Sequence, residues 1–183
     1  MPWSQNRAWP TQEMQEAERK LVALRKLVDS YLRLSQGDPL KDQAVTALGL
    51  FLVVRSVGHI EYIFEAAIAE YAQAHARRQI ADFLKSHLGK GSNPWPGKLV
   101  ERITKFDSKS GREFEEYLRM DDQHLWNQLA QMVAQRNDIA HGKSVGVGSL
   151  KALEYADVAI QVSGKITKMI DPTKNNDPTK NNL

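Results

Sequence analysis

The sequence predicts an all-α fold, an antiparallel bundle of four or five helices. Apolar residues recur at three- and four-residue steps along most of the chain, and no segment alternates as a strand does. Stretches rich in glycine and proline divide the chain into helical lengths. The 183 residues suffice for one domain, which we place at residues 1–170. Residues 171–183 contain the unit DPTKNN twice and one large apolar residue, so we expect a disordered tail there.

The first two predicted helices cover most of the N-terminal half. The first spans about Thr11–Ser35, with apolar residues at three- and four-residue steps, and the stretch QGDP ends it. Asp38 is then placed to cap a second helix that Pro39 opens, since proline suits a first helical turn. This second helix extends to Ala76 or, with a bend, on through RRQIADFLKSHL.

Three further helices are predicted after the loop GKGSNPWPG, residues Gly89–Gly97. The stretch KLVERITKF forms a short helix, and DSKSG turns the chain again. The stretch REFEEYLRM then leads into a helix that Asp121 or Asp122 caps and that Gly142 ends in a left-handed conformation. The last helix covers about Leu150–Ile170.

Composition excludes several kinds of site. The chain has no cysteine, which rules out disulfides, zinc-thiolate sites and cysteine nucleophiles. The histidines show no metal-ligand spacing, so we expect no metal and no cofactor. The N-terminus has no apolar run of the signal-peptide type. The apolar run Val45–Val54 is too short for a bilayer and predicts a buried helix, so we expect a cytoplasmic protein without membrane contact.

Charge is unevenly distributed although the net charge is only +3. The segment Arg77–Arg112 carries nine bases and three acids. A surplus of this kind suits binding to a phosphate backbone, and an ordinary solvated surface is an equally open interpretation.

An arginine interrupts the apolar face of the helix before Gly142. Leu125, Leu129 and Met132 step by four and three, and the next step of four reaches Arg136. A guanidinium is costly to bury unpaired, so Arg136 requires a carboxylate, a partner chain or an anionic ligand. A purely structural ion pair stays open as the alternative.

Two further polar residues follow at the same helix end. Asn137 lies four residues before His141 and shares its face, whereas Arg136 and His141 are five apart and about 140° round an ideal helix. If two copies of this helix end met across a two-fold axis, each arginine would approach the other subunit's histidine. Spacing alone is weak evidence, because Arg119 and His124 have the same gap, and we interpret that second pair as surface.

The stretch RNDIAHG, at the end of an apolar helix in an all-helical chain, resembles the motif of the HEPN (higher eukaryotes and prokaryotes nucleotide-binding) superfamily. Its signature is arginine, four to six residues, then histidine, commonly with asparagine after the arginine. Within it the chain is similar to the RiboL-PSP-HEPN group of prokaryotic defence and toxin-like proteins. The resemblance covers about Ala44–Ile170, although its specific part is the seven-residue motif.

The resemblance implies a dimer with a composite cleft and metal-independent endoribonuclease activity on RNA. Arg136 would bind and polarise the scissile phosphate, His141 would move protons for attack by the 2′-hydroxyl, and Asn137 would orient the phosphate or the histidine. It also implies a toxin or antiphage effector, restrained by an antitoxin or regulatory protein. The alternatives are a non-catalytic module that binds a nucleotide or RNA, and a dimeric scaffold.

An acid on the second helix extends the candidate site. Val54, Val57, Glu61, Phe64 and Ile68 step by three and four, which places Glu61 on an apolar face. Because buried charges on two helices tend to pair, we expect Glu61 to neutralise or position Arg136. It is equally open that Glu61 serves other partners or faces water.

Overall fold

The computed structural model describes residues 8–35, 38–88, 93–143 and 145–174. These residues form six helices and no strand, which confirms the all-α prediction. In chain order they are α1 (Gln12–Leu34), α2 (Pro39–His75), α3 (Arg78–His87), α4 (Pro96–Phe106), α5 (Ser108–Ala140) and α6 (Ser149–Met169). The number exceeds four or five because the extended backbone at Ala76 and Arg77 separates α3 from α2.

Side-chain caps begin three of the helices. Thr11 accepts a hydrogen bond from the Met14 backbone N–H, and Asp38 accepts from the N–H of Leu40. Asp107 accepts from the Ser110 N–H at 2.6 Å and so starts α5 immediately after α4. The predicted turn DSKSG was therefore wrong beyond Asp107, because this one residue ends the first helix and caps the next.

Helix α5 is interrupted at Met120–Gln123, where the sequence predicts a new helix start. Asp121, Asp122 and Gln123 all adopt left-handed backbone conformations. The Arg119 guanidinium bridges the break, since it donates to Gln123 and lies 4.0 Å from the centre of the Trp126 ring. Arg119 and His124 are both exposed, in agreement with their interpretation as surface.

Helix α2 lies at the centre of the bundle and packs against α1, α3, α5 and α6. The core combines fully buried side chains of the five longer helices, among them Val28, Leu52, Ile60, Ile103, Phe114, Leu129, Met132 and Ile166. By length and composition α2 could cross a membrane, and half of its most apolar stretch is buried inside the fold. Central helices of soluble bundles meet the same criterion.

The chain beyond α6 returns to the end of α2. Pro172 is buried, and its carbonyl accepts a hydrogen bond from His75 Nε2 at 3.0 Å. Asp171 closes a short turn by accepting from the Thr173 N–H. The remainder of the predicted disordered tail, residues 175–183, lies outside the described residues, as do residues 89–92 of the predicted loop.

Candidate functional site

The C-terminal end of α5 carries the three residues of the motif. The Gly142 N–H donates to the Ile139 carbonyl and the Lys143 N–H donates to the Asp138 carbonyl, both at 3.0 Å. This pair of bonds requires a left-handed residue, and Gly142 supplies it at φ +69°, as predicted. The helix therefore stops at His141, whose side chain is exposed.

Arg136 is half-buried and is held by neutral groups. Its Nη1 donates to Asn93 Oδ1 at 3.0 Å and to Asn137 Oδ1 at 3.2 Å. Within the described ranges, no carboxylate lies at ion-pair distance from Arg136, and Nε and Nη2 have no hydrogen-bond partner. The guanidinium is thus oriented without being neutralised, and one edge of it stays open.

Glu61 of α2 interacts with Arg136 through charge alone. It is half-buried, and its Oε1 is a buried oxygen without a hydrogen-bond partner. Burial raises the pKa of Glu61, and the positive charges of Arg136 and Arg102 oppose that rise only in part. No direct ion pair joins Glu61 to Arg136 among the described residues, and the expectation that Glu61 neutralises or positions Arg136 stays a prediction.

Sequence reasoning missed Arg102 and Asn93. Arg102 of α4 lies 4.3 Å from the centre of the Phe64 ring, and Glu65 and Glu61 both attract its charge. The sequence pattern could have identified Arg102, because it lies on the apolar face of α4 as Arg136 lies on the apolar face of α5. Asn93 had no such signal, since it belongs to a loop without periodicity and its partner is 43 residues away.

The family model of RiboL-PSP-HEPN matches residues 16–171. The chain belongs to the RiboL-PSP-HEPN family. The match includes α2 to α6 completely, and with them Glu61, Arg102 and the end of α5. No curated protein and no solved structure gives a significant match.

In this RiboL-PSP-HEPN chain the structure joins two of the three motif residues. Arg136 contacts Asn137, whereas no hydrogen bond connects either side chain to His141. The His141 ring makes no hydrogen bond to any other part of the chain that the structure describes. The described residues also contain no group of three or more histidine or acidic side chains placed to hold a metal ion.

Proposed function

We propose that this protein is a metal-independent endoribonuclease that acts as a cytoplasmic homodimer. Each composite site would contain Arg136 and Asn137 of one protomer and His141 of the other. Arg136 and His141 of one protomer are five residues apart and point in different directions. In this arrangement the histidine that meets each arginine comes from the partner protomer.

The observation that carries the proposal is the open edge of Arg136. The Nε–H and an Nη2–H form a fork that matches two oxygens of a phosphate, and here both donors have no partner within the described residues. The site offers an anion a half-buried positive charge whose orientation is already fixed. Preorganised donors of this kind stabilise charge that develops on a phosphate during reaction.

The proposed reaction uses the ribose as the nucleophile. One imidazole removes the proton of the 2′-hydroxyl, the 2′-oxygen attacks the adjacent phosphorus, and the bond from phosphorus to the 5′-oxygen breaks. The leaving 5′-oxygen takes its proton from the imidazolium formed in the first step, and the products are a 2′,3′-cyclic phosphate and a 5′-hydroxyl end. Arg136 would stabilise the charge on the non-bridging oxygens, and Asn137 would hold the arginine.

A nuclease of this type acting inside its own cell would be a toxin or an antiphage effector, restrained by an antitoxin or another regulatory protein. Family membership supports an RNA-related role.

The second candidate is a non-catalytic module that binds RNA or a nucleotide. It is favoured by the His141 ring, for which the described residues provide no orienting hydrogen bond. Catalytic imidazoles are usually oriented by a third group. In a binding module, affinity for RNA would fall steeply with salt, and no RNA would be cleaved.

The test compares two arginine–histidine pairs that have the same spacing. The parent should cleave labelled single-stranded RNA, leave cyclic phosphate ends and tolerate a chelator. Arg136→Ala and His141→Ala should each reduce cleavage at least about 100-fold. Arg119→Ala and His124→Ala, at exposed positions, should cleave as the parent does, and circular dichroism checks that α5 keeps its helix content without the bridge of Arg119.

The proposal fails if dimeric parent protein leaves RNA intact, or if the motif variants and the exposed variants behave alike. Salt-sensitive binding by a protein that does not cleave would establish the second candidate instead.

A further inference from the structure

Helix α3 has an apolar face that the fold does not cover. Among its ten residues only Ala81 is buried, and α3 packs against α2 alone within the described residues. Ile80, Phe83 and Leu84 lie at three- and four-residue spacing and are 53%, 62% and 37% exposed. Burying such a side chain completely is worth about 1.5–3 kcal/mol, so this face is favourable for binding.

A groove continues the apolar surface beyond α3. It has a volume of about 550 Å³ and lies between the C-terminal part of α2, α3 and α4. Its apolar lining includes Ile68, Tyr71, Leu84, Leu88 and Phe106. An amphipathic helix binds other proteins by placing its apolar face in an apolar groove of this kind.

The charges around this surface favour an acidic occupant. The segment Arg77–Leu88 contains three bases, Arg77, Arg78 and Lys85, against the single acid Asp82. The charged residues that line the groove are Arg102 and Lys105, and no acid lines it among the described residues. Although Lys105 contacts Glu101 at 2.6 Å, that glutamate does not line the groove.

A second copy of the chain is a poor occupant for the same reason. In a two-fold contact a surface meets the identical surface of its partner, so α3 would place its bases against the same bases. Like charges brought together in an interface oppose association. The dimer of the proposed nuclease would therefore use another surface.

We infer that the α3 surface, defined as Ile80, Phe83, Leu84 and the adjoining groove, binds an acidic amphipathic helix of a protein partner. Apolar side chains of that helix, spaced by three and four residues, enter the groove. Acidic residues on its flanks face the bases of α3 and α4. This interaction is independent of RNA cleavage and does not need a second copy of the chain.

The test is a selection of helical 16-residue peptides from a randomised display library on the full-length chain. Enriched peptides should combine apolar residues at i, i+3, i+4 and i+7 with an excess of acids. By fluorescence anisotropy, Phe83→Ser should weaken an enriched peptide at least about tenfold. Leu150→Ser, which changes an equally exposed apolar residue of α6, should leave its affinity unchanged.

Four results would overturn the inference. The first is that no peptide is enriched, and the second is that the enriched peptides carry no excess of acids. The third is that an enriched peptide binds the Phe83→Ser variant as tightly as the parent while the variant keeps the parental helix content. In the fourth, Phe83→Ser converts a dimer to a monomer in sedimentation, or abolishes RNA binding, and the occupant is then a second copy or a nucleic acid.

Discussion

The neutrality of Asn93 is essential to the proposed phosphate site. The variant Asn93→Asp replaces an amide oxygen 3.0 Å from Arg136 Nη1 with a carboxylate oxygen at nearly the same place. The new carboxylate would pair with the guanidinium, and the site would lose the positive charge that it offers to phosphate. Thermal stability should stay level or rise, because a favourable ion pair is added.

The size of the effect follows from Coulomb's law. Two charges about 4 Å apart attract by about 4 kcal/mol at an effective dielectric constant of about 20. Since Arg136 is only half-buried, screening reduces this to about 1.4–2.8 kcal/mol, which corresponds to a loss of about 10- to 100-fold in kcat/KM or RNA affinity.

The assay measures kcat/KM on labelled RNA beside the melting temperature. The matched control is Asn127→Asp, the same chemical change at an exposed position on α5, which should remain within about twofold of the parent. If Asn93→Asp cleaves or binds RNA as well as Asn127→Asp does, the phosphate is not bound by the charge of Arg136 and the reasoning is refuted.

Three further predictions concern stability, each measured by denaturation. Burial raises the pKa of Glu61, so the folded state binds the carboxyl proton more tightly than the unfolded state does, and the parent loses stability as pH rises through this pKa. The variant Glu61→Gln should therefore be more stable than the parent at pH 7, by about 1 kcal/mol or less. Below the ordinary carboxyl pKa the two proteins should be equally stable. A variant less stable than the parent at pH 7 would refute this. Burial lowers the pKa of His59 from 6.5 to about 4, so acidification through that range should remove about 3 kcal/mol from the parent. His59→Gln should lack this dependence, and an equally steep decline in the variant would show that other groups cause it. A Cβ at Gly111 would lie 2.6 Å from Thr104 Cα, so Gly111→Ala should lose about 1–3 kcal/mol, whereas Gly146→Ala meets no atom within 4 Å and serves as the control. Equal stability of the two variants would contradict the close contact of α4 with α5.

The helices were predictable because their signals are local. Apolar periodicity located α1, α2, α6 and the second half of α5, and Asp38, Pro39 and Gly142 marked ends that the structure confirms. The turn predicted at DSKSG was wrong beyond Asp107, because a residue that ends one helix and caps the next resembles a turn in the sequence. The break between α2 and α3 was not predictable from glycine or proline, because neither residue occurs there. Ala76 and Arg77 end α2 by adopting an extended backbone.

The site was predictable where it obeyed helical periodicity. The position of Arg136 on an apolar face showed that it needed a partner, and the same logic applied to Arg102 would have found a second arginine. The identity of the partner was not predictable, because Asn93 reaches Arg136 from a loop that only the packing of α4 against α5 brings close. The sequence favoured a carboxylate at Glu61, and the structure places two amide oxygens on the guanidinium instead.

A mixture of two inactive variants tests the composite site most directly. Arg136→Ala and His141→Ala each damage both sites of a symmetric dimer, but their heterodimer retains one site with an intact arginine and an intact histidine. Equal amounts of the two, allowed to exchange subunits, should recover about a quarter of parental RNA cleavage, because half of the dimers then have one of two sites intact. A mixture that stays as inactive as either variant alone would contradict a site shared between protomers.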